Sequence, residues 1–196
     1  MGLPSGTKWA TCNVGADSET DYGLYFAWGE TKGYSGYTDA KQFNWCDYYF
    51  LENCTVNDKY FYFYGSDNGK TVLDLEDDAA NVNMGGNWHM PSKEQFNELI
   101  ANTESTWVSN YNGSGINGRL FTSKSDDSKK LFIPASGILY GGYYTNAGNK
   151  FSIWGNSIDT SYSSFEYGIT LNSDSDGSAV SEDYRCKGIC VRAVLN

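Results

Sequence analysis

The chemistry open to histidine is limited in this chain, because His89 is its only histidine. A metal site with several histidine ligands cannot form, and a Ser-His-Asp or Cys-His nucleophilic site would have to be built on His89 itself. His89 lies three residues before the start of a predicted helix, in the turn that leads into it. We therefore predict that His89 is structural and that the chain is not an enzyme.

Acidic side chains cluster at 74–78, where Asp74, Glu76, Asp77 and Asp78 fall close together. Paired carboxylates can carry out acid–base catalysis. The same residues also begin a short helix that we predict over 74–82, and negative charge at a helix start compensates the helix dipole. We favour this structural role.

A second acidic set copies the oxygen-ligand spacing of a calcium-binding loop. Asn172, Asp174 and Asp176 alternate along the chain, Gly177 takes the sixth position, and Asp183 follows. The helices that usually flank such a loop are not predicted, and a polar hairpin turn explains the pattern equally well. Calcium stays an alternative here, while the main prediction is no metal and no cofactor.

The chain has five cysteines, so at least one thiol is free or pairs with another chain. Cys46 and Cys54 flank a short aromatic segment and could close a loop in an oxidising compartment. Cys186 and Cys190 are too far apart to bridge on a straight strand, because four residues of strand span about 13 Å. The disulfide connectivity is left open.

The segment from Tyr140 to Arg185 has an unusual composition. Of its 46 residues, 29 are Tyr, Gly, Asn, Ser or Asp, and only Lys150 and Arg185 are basic. Tyrosine gives a large rigid contact area, and Ser, Asn and Gly give adaptable hydrogen bonding, a mixture that antibody loops also use. The composition fits a binding surface, and a solvated loop region explains it as well.

A complete helix start lies at the centre of the chain. Ser92 is a good N-cap, and Gln95 is placed to close a capping box with it. Phe96, Leu99 and Ile100 then form one apolar stripe, which we predict to face the core.

Residues 85–96, Gly-Gly-Asn-Trp-His-Met-Pro-Ser-Lys-Glu-Gln-Phe, resemble the signature of the Fibrobacter succinogenes major paralogous domain family, which is common in gut Bacteroidetes and their phages. Residues 3–16, 22–31, 77–80 and 188–194 resemble further family segments in the expected order. The resemblance implies a C-type-lectin-like fold, shared with formylglycine-generating-enzyme-like domains and with the variable proteins of diversity-generating retroelements. In relatives arginine usually stands at the position of His89, which suggests an anchoring role.

The expected fold class is α+β, with two short helices, a small antiparallel sheet, paired N- and C-terminal strands and long loops. We predict strands near 7–14, 22–28, 151–154, 165–171 and 186–194, and a hairpin formed by 119–122 and 130–134. The aromatic stretch 34–64 is expected mainly to cover the core, with binding as the alternative. Residues 1–196 are expected to form a single domain, the C-terminal part of a longer protein.

The resemblance also predicts where a ligand binds. In this fold the segment after Pro134 runs over one exposed end of the domain, which makes about 140–185 the putative variable region. Trp154, Ile169 and Leu171 are predicted to turn inward, and Trp88 to be largely buried. The residues predicted to project as the binding face are Tyr143, Tyr144, Asn146, Asn156, Ser157, Asp159, Ser161, Tyr162, Ser163 and Tyr167.

Charge and composition limit the partners. The formal net charge is −10 and the pI is near 4.4, which disfavours nucleic acid and anionic membranes. No apolar run approaches the roughly 20 residues that span a bilayer. Because Met1 leads directly into the first predicted strand, we expect the targeting sequence to be absent from this chain, and the protein to be secreted, displayed on a cell surface or displayed on a virion.

The predicted function is therefore adhesion or receptor binding, with a diversified surface that takes a protein or glycan ligand. The alternative is a structural or pilus-like surface subunit that packs its tyrosines on neighbouring subunits. A third reading, a formylglycine-generating-enzyme-like oxidase, rests on the fold analogy and on Cys186 and Cys190, whose spacing differs from that of the enzymes.

Overall fold

A computed structural model of the chain describes residues 1–38, 40–51, 61, 63–65, 69–162 and 165–196. This described part has two α-helices and is otherwise built from mostly antiparallel strands, so the α+β class is confirmed. The helices are α1 (Ala79–Met84) and α2 (Lys93–Asn102). The strands are β1 (Lys8–Trp9), β2 (Tyr25–Phe26), β3 (Thr103–Val108), β4 (Gly118–Ser123), β5 (Lys130–Pro134), β6 (Ile138–Tyr140), β7 (Tyr143–Thr145), β8 (Phe151–Ile158), β9 (Tyr167–Ser173), β10 (Ser178–Tyr184), β11 (Ile189–Cys190) and β12 (Val194–Leu195).

The largest sheet has the strand order β10-β9-β8-β11-β2. Its strands pair antiparallel except β11 and β8, which run parallel. A second sheet contains β3, β4 and β5, and β6 and β7 form a hairpin. The hairpin touches the large sheet through backbone bridges from Gly137 to Phe151 and from Leu139 to Gly188.

The two ends of the chain meet, as predicted. Lys8 pairs with Leu195 and Trp9 with Val194 in an antiparallel ladder between β1 and β12. The strand predicted over 7–14 is much shorter, because beyond Trp9 only single backbone bonds, such as Ala10 N–H to Ala193 O at 2.9 Å, continue the pairing. His89 joins this assembly through reciprocal backbone bonds with Val194.

Helix α2 begins where the sequence predicted. The Ser92 hydroxyl accepts the Gln95 N–H, and the Gln95 side chain accepts the Ser92 N–H, so the capping box is complete. Phe96 and Leu99 are fully buried, whereas Ile100 is half-buried. Trp88 is partly buried and packs against the core.

Other predicted boundaries need correction. Helix α1 begins at Ala79 rather than at residue 74, because Asp78 is its N-cap and residues 74–77 form the preceding turn. The predicted hairpin is present as β4 and β5, but β3, β6, β7 and β10 were not predicted. The strand predicted over 186–194 is two short strands, β11 and β12.

The aromatic stretch 34–64 contributes to the core where it is described. Phe43, Tyr48, Phe50, Phe61 and Tyr64 are all buried in one cluster with the strands. The predicted core-covering role is therefore confirmed for these residues. Cys46 is disulfide-bonded, and Cys54 lies outside the described residues.

Candidate ligand-binding surface

Strands β8 and β9 form the frame on which most predicted site residues lie. Their ladder runs from Phe151 opposite Ser173 to Trp154 opposite Thr170, then shifts register before Ile158 meets Gly168. Trp154, Ile169 and Leu171 are buried, so their predicted inward orientation is confirmed. The irregularity between Trp154 and Ile158 places Asn156 and Ser157 at a point where the regular pairing is interrupted.

A groove of about 370 Å³ opens beside this irregularity. We call it the polar groove, and its lining residues are Val72, Ser92, Lys93, Glu94, Asn156, Ser157, Ile158, Asp159, Thr160, Ser161 and Ile169. It brings together four predicted site residues: Asn156, Ser157, Asp159 and Ser161. They are half-buried except for Ser161, which is exposed. Hence most of these side chains line a recess rather than project from the surface.

Backbone bonds hold the walls of the polar groove in place. Asn156 donates its N–H to Pro91 O at 2.9 Å and accepts the Leu73 N–H at 2.8 Å. Ile158 donates to Thr71 O at 2.9 Å, so the segment before α1 lies against the end of β8. The groove is therefore bounded by β8, by residues 71–73 and by the first turn of α2.

The polar groups in the groove suit hydrogen bonding to a neutral or basic ligand. The Asp159 carboxylate accepts the Ser161 N–H through one oxygen at 2.8 Å. Glu94 accepts the Ser92 hydroxyl at 2.8 Å, and this hydrogen bond lowers the pKa of the Glu94 carboxyl. Two carboxylates, one lysine, four hydroxyl groups and one side-chain amide thus line one recess together with two isoleucines and one valine.

Three tyrosines next to the groove form a series of ring contacts. The rings of Tyr162 and Tyr167 have centroids 4.8 Å apart, and those of Tyr167 and Tyr184 are stacked at 4.9 Å. A hydrogen bond to Tyr184 raises the pKa of Tyr167 to about 12. The series begins in the same loop as Asp159 and Ser161, so the groove and the tyrosines are neighbours.

The series continues towards the β6–β7 hairpin through Lys187. The Lys187 ammonium lies 5.4 Å from the ring centroid of Tyr184 and 5.3 Å from that of Tyr140, and it pairs with Asp183 at 2.5 Å. Tyr143 stands directly opposite Tyr140 in the hairpin, so the two side chains share a face. We call this continuous set the aromatic row; it comprises Tyr162, Tyr167, Tyr184, Lys187, Tyr140 and Tyr143.

The exposed fraction of the tyrosines differs along the row. Tyr143 is 75% exposed, Tyr162 45% and Tyr140 39%. Tyr167 and Tyr184 are half-buried between them. The row therefore has accessible rings at both ends and a tightly stacked middle.

Tyr144 and Asn146 lie apart from the aromatic row. Alternation along β7 turns Tyr144 to the opposite face from Tyr143, where its hydroxyl donates to Ser35 O at 2.8 Å and its ring meets Tyr25 edge-on. Asn146 is exposed in the turn after β7. Ser163 lies outside the described residues.

The structure does not bring the four calcium-loop residues together. Asp183 pairs with Lys187 and faces Gly168 in the ladder, whereas Asn172 pairs with Ala179. The two positions differ by four residues along β10, which is about 13 Å. Residues 174–177 instead form a hairpin turn, in which Asp174 accepts the Asp176 N–H at 2.9 Å.

Asp74, Asp77 and Asp78, before α1, have structural partners. Side-chain oxygens of Asp74, Glu76 and Asp77 lie within 4.8 Å of one another. Asp74 pairs with Lys70, and Asp77 accepts the Tyr64 hydroxyl at 2.6 Å. The pKa of the Asp78 carboxyl is raised by burial, while its oxygens accept N–H groups from Ala80, Asn81 and Met90.

Cys186 and Cys190 are free thiols that the core encloses completely. Burial raises the pKa of the Cys190 thiol to about 12 and raises the pKa of Cys186 as well. Both thiols are therefore protonated at neutral pH, a state that is poorly suited to nucleophilic chemistry or metal binding.

Several residues of this surface were not predicted from the sequence. Tyr140 and Tyr184 belong to the tyrosine-rich segment, so its composition was a usable signal for them. Lys187, Lys93 and Val72 carried no such signal, because they join the surface only through the tertiary arrangement of α2, the turn after β10 and the segment before α1.

Comparisons with protein-family models, with curated proteins and with solved structures found no match. In the described ranges no helix has both the length and the apolar character needed to cross a bilayer.

Proposed function

We propose that this protein is a binding domain whose aromatic row and polar groove take a protein or glycan ligand on a cell or host surface. The observation that carries the proposal is the continuity of the row, in which ring contacts of 4.8 and 4.9 Å and two lysine–ring contacts connect two exposed ends. The rings in the middle of the row already pack on each other, so binding would cost them little additional side-chain entropy. Tyrosines of this kind often carry most of the binding energy of an interface.

Charge supports a neutral or basic ligand. The chain has a formal net charge of −10, and the groove contributes the carboxylates of Asp159 and Glu94. Nucleic acid and strongly anionic glycans would be repelled. Lys187 does not reverse this sign, because Asp183 neutralises it.

We further propose a C-type-lectin-like fold and membership of the retroelement-diversified variable proteins. The paired terminal strands support this fold, as does the way a buried frame of β8 and β9 carries changeable polar and tyrosine side chains. A domain of this type acts outside the cell, either secreted, on the cell surface or on a virion.

The test compares ligand binding with stability in a Tyr143→Ala/Tyr162→Ala double variant. The probes are immobilised mucin glycoprotein from which the anionic sialic acids have been removed, and the same mucin after enzymatic removal of its remaining glycans, which separates glycan from protein recognition. We expect at least a tenfold loss of binding, as for truncation of two anchor residues. The melting temperature should fall by only a few degrees, because Tyr143 is 75% exposed.

The matched control is a Leu75→Ala/Val82→Ala double variant, which truncates two exposed apolar residues outside the row. It should bind mucin like the original chain. Equal loss of binding in both variants, or no binding of either mucin form by the original chain, would argue against the proposal. Concentration-dependent self-association that disappears in the tyrosine variant would instead favour the structural or pilus-like subunit.

A further inference from the structure

A buried lysine lies between two carboxylates in the segment that connects β2 to α1. Lys41 is only 3% exposed, although lysine is almost never fully buried unless it is paired. Its ammonium lies 2.7 Å from Glu30 Oε2 and 3.5 Å from Asp47 Oδ1, and the two acidic side chains are 12% and 20% exposed. We call Glu30, Lys41 and Asp47 the buried triad. It brings one amine and two carboxyl groups together in a site that is largely closed to water.

Hydrogen bonds hold the buried triad in one arrangement. Lys41 exchanges two backbone hydrogen bonds with Thr38, at 2.9 and 3.0 Å. The Lys41 ammonium donates to Glu30 Oε1 and to the Asp47 backbone oxygen, both at 2.8 Å. Glu30 Oε1 also accepts the Tyr49 N–H at 2.9 Å. The three groups are thus positioned in advance, and well-oriented groups within one molecule reach effective molarities of about 10⁵ M or more.

The two carboxylates of the triad contact the ammonium differently. Both Glu30 oxygens lie within 2.8 Å of the Lys41 nitrogen, an arrangement suited to proton exchange. The Asp47 oxygens are instead held by the backbone: Oδ1 accepts the Asn44 N–H at 3.1 Å, and Oδ2 accepts the Gln42 N–H. Backbone N–H groups in such positions stabilise the negative charge that develops on a carboxyl group when a nucleophile attacks its carbon. Asp47 is therefore the group suited to nucleophilic attack, and Glu30 is the group suited to carrying protons.

We propose that Lys41 and Asp47 condense to form an isopeptide bond, with Glu30 as the catalytic residue that moves protons. Glu30 accepts a proton from the Lys41 ammonium, and the nitrogen lone pair attacks Asp47 Cγ. The Cγ–Oδ1 bond then breaks with its electron pair, and this oxygen leaves as water with the two protons that the nitrogen has released. The amide nitrogen keeps one hydrogen, and Glu30 returns to its ionised form.

The surroundings of the buried triad favour this reaction. Condensation removes one positive and one negative charge from the interior, where the desolvation of ions is costly. Glu30 also lines a recess of about 350 Å³, which gives the released water a way out. The bond closes a ring that contains Trp45, whose ring centroid lies 5.6 Å from that of Tyr184. The cross-link therefore fixes a segment that packs against the middle of the aromatic row.

Intact-mass spectrometry of the folded chain, after reduction of its disulfide, tests the proposal. We expect a mass lower than the sequence mass by one water molecule. Trypsin should fail to cleave after Lys41, because the side-chain amine is acylated, and fragment spectra should show residue 41 joined to residue 47. The full sequence mass in a chain with a native near-ultraviolet circular dichroism spectrum would overturn the proposal.

Matched variants assign a role to each member of the triad. Lys41→Arg keeps a positive charge but removes the amine, and Glu30→Gln keeps the size of the side chain but removes the proton carrier, so both should have their full sequence masses. Asp47→Ala should do the same. Asp47→Asn should release ammonia instead of water and reach the same final mass as the original chain, because the two products contain the same amide. An ion pair with a purely structural role predicts none of these losses.

The same variants exclude other sources of dehydration. Cyclisation at the Asp176-Gly177 step would also release water, but it does not depend on Lys41. A loss of water that persists in Lys41→Arg would therefore overturn the proposal. A loss of water that persists in Asp47→Ala would make Glu30 the acceptor and would overturn it as well. The peptide map gives these answers from the original chain even where a variant fails to fold.

Discussion

Asp78 shows how one buried carboxylate connects two parts of the chain. One oxygen accepts the N–H groups of Ala80 and Asn81 at 2.9 Å, and the other accepts the Met90 N–H at 2.8 Å. It thereby ties the start of α1 to the segment that leads into α2. Burial raises the pKa of this carboxyl above its ordinary value of 3.8 and outweighs the three hydrogen bonds, which lower it.

This raised pKa predicts that the stability of the folded protein depends on pH. A folded state with a raised pKa binds a proton more tightly than the unfolded chain, so the contribution of Asp78 to stability falls as pH rises from about 3.8 through the folded pKa. Unfolding free energies of the original chain and of Asp78→Asn, measured with urea between about pH 3 and 7, isolate this group. The difference, original minus variant, should decrease with rising pH and then level off. An increase would mean that the hydrogen bonds outweigh burial.

Arg185 is a second residue whose role is clear only in three dimensions. It is fully buried, and its guanidinium lies 4.6 Å from the ring of Trp28 and 4.8 Å from that of Phe61. It also donates to the Tyr48 hydroxyl and to Phe165 O. Because Arg185 follows Tyr184 directly and holds the chain just before Tyr167, it fixes the stacked middle of the aromatic row.

At the scale of elements, α2 is the helix that was predicted best from the sequence. The Ser92 and Gln95 spacing defines a local motif, and local motifs are readable without knowledge of the fold. The predicted start of α1 was too early in the chain. In a sequence, acidic residues in the first turn of a helix cannot be distinguished from acidic residues that precede its N-cap. Strand β10 was not predicted. It lies at an edge of the sheet and is mostly polar, so its sequence shows little alternation between apolar and polar residues.

The capping box gives a prediction for α2 as an element. Ser92→Ala removes the acceptor for the Gln95 N–H and also the hydroxyl that donates to Glu94. We expect a loss of about 1 kcal/mol of unfolding free energy, the usual value for such a cap. Ser92→Asp restores an acceptor and should recover most of it. Chemical denaturation measures both, and an unchanged stability of Ser92→Ala would contradict a stabilising role for this cap.

At the scale of the whole molecule, the composition of the chain and the order of its segments pointed to a binding surface, but neither could locate that surface. The tyrosine-rich segment was visible in the sequence, and Tyr143 and Tyr162 are exposed as predicted. The division into a polar groove and an aromatic row was not predictable, because it depends on how α2, residues 71–73 and Lys187 approach β8, β9 and β10. Such long-range placement leaves no periodic signal in the chain.

The arrangement predicts an alternating tolerance to substitution across 140–185. Exposed positions such as Tyr143 and Ser161 should accept most side chains, whereas Trp154 and Gly168 should accept almost none. A Cβ atom at Gly168 would lie 2.8 Å from Trp28 and 2.9 Å from Trp154, and two buried indole rings cannot both move aside. Truncation of Trp154 to alanine should cost about 3–5 kcal/mol.

The measurement is a saturation library over this segment, displayed on yeast and sorted for protease resistance, which reports folding independently of any ligand. Resistance should be retained at Tyr143, Asn146, Ser161 and Tyr162 and lost at Trp154, where the side chain is fully buried. A surface that can vary without loss of the fold must show this separation, because each variant surface has to rest on the same frame. If Tyr143 proved as intolerant as Trp154, the row would belong to the core and the proposed binding surface would fail.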